Sequence, residues 1–69
     1  MQRKRVNSSK VRSVGYDEKT MTLEVEMSNG QVFQYAKVYP EVYRRFMAAP
    51  NPTSFFEDRI AEEYTGRRV

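Results

Sequence analysis

The chain has no cysteine, no histidine and no tryptophan in its 69 residues. Without cysteine there is no disulfide and no thiolate zinc site. Without histidine, both the commonest metal ligand and the commonest general base are missing. Glycine and proline are sparse, three of each, and no glycine-rich phosphate loop is present. No apolar run approaches the ~20 residues that a membrane span needs. The basic start is not followed by an apolar segment, so it does not read as a signal peptide. The expectation is a soluble, cytoplasmic protein, and the Asn7-Ser8-Ser9 triplet then carries no weight as a glycosylation site. A chain of this length makes one domain that buries a modest share of its surface. With no staple available, extra stability must come from packing the nine aromatic rings or from self-association.

What is present is an uneven charge. The net charge is +3, but Arg3, Lys4, Arg5, Lys10 and Arg12 precede the first acid, Asp17, and Arg67 and Arg68 close the chain. All nine acids lie between Asp17 and Glu63. This layout points to a polyanionic partner or, equally, to a solvated basic arm.

Residues 1–9 show no periodicity and read as a basic, flexible N-terminal arm, with residues 10–69 forming the single domain. Val14 and Tyr16 alternate with Ser13 and Gly15 in a first strand, where Gly15 suggests a bulge. Asp17 to Thr20 is a turn. In the second strand Met21, Leu23, Val25 and Met27 share one face, and Thr22, Glu24 and Glu26 the other. Asn29-Gly30 signals a hairpin with two registers. A two-residue turn pairs Ser28 with Gln31 and puts Phe33 and Tyr35 beside the glutamates. A three-residue loop with Gly30 in a bulge pairs Met27 with Gln31, Val25 with Phe33 and Leu23 with Tyr35. The second gathers the apolar residues on one face and is preferred. Pro40 and Glu41 then open a helix whose buried stripe is Val42, Phe46 and Ala49, ending at Pro50-Asn51-Pro52. Thr53 or Ser54 caps a second helix carrying Phe56, Ile60 and Tyr64, with Gly66 as its stop.

The fold expected is α+β: a three-stranded antiparallel β-meander followed by two helices packed on one face (β-β-β-α-α). Leu23, Val25, Phe33, Tyr35, Val42, Phe46, Phe56 and Ile60 form its core.

The order Ser9-x-Val11-x-x-Val14-Gly15-Tyr16-Asp17, then Leu23-x-Val25-x-Met27-x-x-Gly30-x-Val32-Phe33-x-Tyr35, then Val38-x-Pro40-x-Val42, resembles the KTSC domain. Phe55-Phe56, Ile60, Tyr64 and Arg67-Arg68 continue the likeness, which runs from Asn7 to Val69. That small module is named for its place at the C-terminus of some lysyl-tRNA synthetases and also occurs as free-standing bacterial proteins of this size. The resemblance maps the family's central aromatic-x-aromatic motif onto Phe33-Gln34-Tyr35, with Phe where Tyr is more usual, and implies RNA binding through the synthetase context.

Each candidate chemistry has a plainer counterpart. The basic set Arg3, Lys4, Arg5, Lys10, Arg12, Arg67 and Arg68 suits phosphates, against ordinary surface charge. Phe33 and Tyr35 would stack on bases if exposed, but the preferred register buries them. The Glu57-Asp58 and Glu62-Glu63 pairs point apart along a helix and make poor chelates. Ser8-Ser9-Lys10 lacks any group to orient a nucleophile. The reading is a non-enzymatic binding module with no cofactor and no metal, taking RNA or another polyanion through its basic ends. The alternative is a protein-interaction or self-associating module that uses a sheet edge or the helix pair.

Overall fold

The computed structural model describes residues 3–6 and 8–69. The elements run β1 (Arg3–Arg5), β2 (Val11–Asp17), β3 (Thr22–Met27), β4 (Val32–Tyr35), α1 (Pro40–Ala48), α2 (Pro52–Phe55), a π-helical turn (Phe56–Ile60) and β5 (Gly66–Arg68). The α+β class with two helices holds. The strand count is corrected: the sheet has five antiparallel strands in the order β1-β2-β3-β4-β5, not three. Both additional strands come from the basic ends. Of the segment expected as an arm, Arg3–Arg5 pair with Ser13–Gly15, while Met1, Gln2 and Asn7 lie outside the described residues.

The hairpin takes the three-residue loop. Leu23 stands across from Tyr35 and Val25 across from Phe33, and the Met27 amide donates to the Gln31 carbonyl at 2.7 Å. Gly30 has φ +94°, a conformation that glycine alone adopts without steric cost. The Asn29 side chain braces the loop by accepting from the Gln31 amide at 3.0 Å. The bulge in β2 falls between Val11 and Ser13, at Arg12 and not at Gly15.

Strand alternation then sorts the sheet into two faces. One carries Val14, Tyr16, Leu23, Val25, Phe33 and Tyr35 toward the helices. The core is Val11, Val14, Leu23, Val25, Tyr35, Val38, Phe46, Phe56 and Ile60, with Phe33 and Val42 half-buried against it. Phe46 is its centre: its ring stacks on Phe55 at 5.6 Å and on Phe56 at 6.3 Å, and Phe56 meets Tyr35 edge-on at 5.8 Å. Burying such rings contributes more area than any other choice open to a chain this short.

Helix α1 begins at Pro40 as expected. It ends where Ala49, held extended by the proline that follows it, leaves the helix at ψ 136°. The second helix departs from expectation at both ends. Its cap is Asn51, whose side chain accepts from the Ser54 amide at 3.2 Å, with Pro52 in the first turn. Thr53 is released from capping and is buried instead. It meets the Ser8 hydroxyl, the Ser9 hydroxyl at 3.4 Å and the Lys10 amide at 3.3 Å, tying the start of the chain to α2. Gly66 is not a helix stop. It opens β5, directly across from Tyr35.

Candidate nucleic-acid interface

The second face of the sheet faces away from both helices. Its cross-strand rows run Arg3, Gly15, Glu24, Gln34, Arg67 and Arg5, Ser13, Glu26, Val32. Two carboxylates sit in the middle, with arginines outside them. Glu24 is 14 % exposed. It accepts from the Gln34 amide group at 3.0 Å and forms an ion pair with Arg3, whose Nε lies 3.0 Å away. Glu26 accepts from the Ser13 hydroxyl at 2.8 Å and lies 3.7 Å from both Arg3 Nη1 and Arg12 Nη1. Arg12, thrown out by the bulge, also donates to the Ser28 carbonyl at 2.9 Å. Arg3 and Arg12 thus stand within ion-pair distance of the glutamates, and the bond to the Ser28 carbonyl orients the Arg12 guanidinium. Arg5 forms no ion pair among the described residues.

Arg3, Arg5 and Arg12, with Ser13 and Glu26, line an open hollow of about 590 Å³ on this face. A second hollow, of about 470 Å³, continues past Arg5 and Arg12 to Ser8 and Ser28. Across the face, Arg3, Arg5, Arg12 and Arg67 stand against Glu24 and Glu26, four positive charges to two negative.

The seven basic residues singled out in the sequence thus do not form one patch. Arg3, Arg5 and Arg12 come together. Arg67 lies on the same face at the far edge, beside Gln34. Lys4 and Arg68 sit on the helix side at opposite edges, across from Val14 and Phe33. Lys10 stands apart, 3.2 Å from Glu57. Of the motif residues, Leu23, Val25, Tyr35, Phe56 and Ile60 are buried and Phe33 is half-buried, all on the covered side. Glu41 and Arg45 pair at 2.7 Å along α1, but at 66 % and 70 % exposed they add little to stability.

A feature missed in the sequence lies at the β1 edge on the helix side. The Tyr16 and Tyr43 rings stack at 4.7 Å with planes 9° apart. The Tyr16 hydroxyl donates to the Val38 carbonyl. Burial, followed by the nearby Glu18, Asp17 and Tyr64, raises the Tyr16 hydroxyl above its ordinary pKa, and burial raises Tyr35 as well. Alternation in β2 gave the side of Tyr16, but nothing local could show that Tyr43 of α1 reaches it.

Comparison with known proteins agrees with this geometry. The KTSC domain family model matches residues 7–64. The chain belongs to the KTSC domain family. The crystal structure of a KTSC domain protein from Yersinia pestis superposes on it with a TM-score of 0.92 at 32 % identity, covering 99 % of this chain and 96 % of that one. An uncharacterized protein from Stutzerimonas stutzeri (strain A1501) is 43 % identical over 49 residues, which span 71 % of this chain and 69 % of its own length. Both strands of this KTSC domain's central hairpin, with Phe33-Gln34-Tyr35, fall within the matched region. Among the described residues, no helix is long and apolar enough to cross a membrane.

Proposed function

We propose that this KTSC domain is a non-enzymatic module that binds RNA through the uncovered face of its sheet, with Arg3, Arg5, Arg12 and Arg67 meeting the phosphate backbone. One observation carries the reading: Arg3, Arg5 and Arg12, from two adjacent strands, line a single hollow on a face that no helix covers. Two of them pair with carboxylates beneath, and Arg5 has no acid partner among the described residues. Affinity of this kind is largely blind to sequence and falls with salt, because each neutralised phosphate releases counterions. The covered position of Phe33 and Tyr35 removes the aromatic motif from the binding surface. It leaves the guanidinium groups as the recognition chemistry.

The test is a titration of a labelled single-stranded RNA of about 12 nucleotides, within the range such modules occupy, at two salt concentrations. Arg5→Gln and Arg12→Gln each weaken binding and lower the salt slope by roughly 0.7 per lost contact. Arg44→Gln, on an exposed position of α1, leaves it unchanged. No binding at low salt, or binding indifferent to Arg5 and Arg12, refutes the proposal. A concentration-dependent size without RNA binding would favour self-association instead.

A further inference from the structure

Resting on that reading, we infer that the hollow beside the stacked tyrosines takes one unpaired nucleotide of the bound strand. This hollow, about 470 Å³, is lined by Arg3, Lys4, Tyr16, Glu18 and Tyr43. Its size falls within the ~300–1,000 Å³ of small-ligand sites. The chemistry has three parts. The two parallel rings, 4.7 Å apart, offer a flat aromatic surface or edge for a base. Lys4 supplies a cation for the adjoining phosphate, and Arg3 borders the hollow from the open face. The Glu18 carboxylate accepts from a base amino group or a ribose hydroxyl. A bare phosphate has no use for the rings, and an apolar ligand would be disfavoured by three charged side chains at the rim.

Two further observations support the assignment. The site is formed before any ligand arrives: Tyr16 is tied by its hydroxyl to the Val38 carbonyl and Tyr43 rides on α1, so little ordering is needed on binding. It is also continuous with the sheet-face hollow, because Arg3 lines both. Alternation along β1 turns Arg3 and Arg5 to the open face and Lys4 to the tyrosine side. A strand that lies along Arg5 and Arg3 can cross the short β1 edge and set its next base against the tyrosines.

The experiment uses the full chain with uridine and deoxythymidine oligomers of about 12 nucleotides. Tyr43→Leu is expected to weaken binding about 5- to 150-fold, the range for losing one stacked base, with the salt slope unchanged because no phosphate contact is lost. Lys4→Gln is expected to reduce that slope by about 0.7. Tyrosine emission, undiluted by tryptophan, is expected to be quenched on binding in the unmodified chain. That readout and Lys4→Gln decide the matter if Tyr43→Leu fails to fold. Dependence on Tyr43 with either oligomer supports the site, and the tighter of the two identifies the sugar it prefers. Should Arg5→Gln weaken binding while Tyr43→Leu and tyrosine emission show no effect, the nucleotide site is overturned and the sheet-face reading survives. Absence of binding by the unmodified chain at low salt overturns both.

Discussion

Tyr16 and Tyr35 carry hydroxyls into surroundings that disfavour their ionised form, and this gives the fold an alkaline limit. Both are raised, by burial first in each case. The folded state therefore holds its tyrosine protons where the unfolded chain begins to release them, at the ordinary value of about 10. Their contribution is complete below about pH 10 and declines as pH rises through the raised folded values. Urea denaturation followed across that window, with tyrosinate absorbance as a second probe, is expected to show stability falling. The double variant Tyr16→Phe and Tyr35→Phe is expected to flatten the fall. The tyrosine share is the difference between the two proteins. Identical slopes would contradict the role given to the two hydroxyls. The sequence offered two registers for Tyr35 and favoured the buried one, which sets it across from Leu23 as observed. It could not reveal what Tyr16 bonds to, since the Val38 carbonyl reaches it only through the turn after β4.

At the level of elements, β5 depends on a space left empty in the sequence. A β-carbon on Gly66 would lie 2.7 Å from Tyr35 Cε1 and 2.9 Å from Cζ. The ring is 4 % exposed and abuts Phe56, so it has nowhere to retreat. Gly66→Ala is expected to destabilise the protein by about 1–3 kcal/mol, the usual cost of overpacking a filled site. For a domain of this size that lowers the melting temperature by several degrees, roughly 4–8 °C per kcal/mol. In a Tyr35→Leu background, itself less stable, the same glycine substitution should cost less. An unchanged melting temperature for Gly66→Ala would show that β5 does not pack as described. The central hairpin was readable because apolar residues alternate on both sides of a turn whose glycine adopts positive φ: Met21, Leu23, Val25 and Met27 before it, Phe33 and Tyr35 after it. The edge strands were not. Arg3-Lys4-Arg5 and Gly66-Arg67-Arg68 have no apolar alternation, and they pair because the strands beside them offer unsatisfied N–H and C=O groups. Short, charged edges of this kind also discourage pairing with a second sheet. The cap of α2 was misplaced for a local reason. Asn51 followed by Pro52 satisfies the first turn, which frees Thr53 to bind the serines of the N-terminal segment.

Across the whole molecule, the sheet divides the work. Its covered face spends every aromatic of the family motif on the core, and its open face collects arginines around two half-buried glutamates. The charge asymmetry legible in the sequence was real, but its geometry was not. The chain ends run along opposite edges of one sheet, so the basic residues are parted by strand alternation into open-face and helix-side groups. Lys10 drops out because it stands apart from the open face, beside Glu57. The binding surface proposed for this domain is the open face, not the motif or the helices. The most direct measurement is an amide chemical-shift footprint of the full chain titrated with single-stranded RNA at low salt. The shifts are expected to concentrate on β1, on β2 around Arg12 and Ser13, and at Gln34 and Arg67. A footprint centred on α1, α2 and the π-helical turn, or no footprint at all, would contradict it.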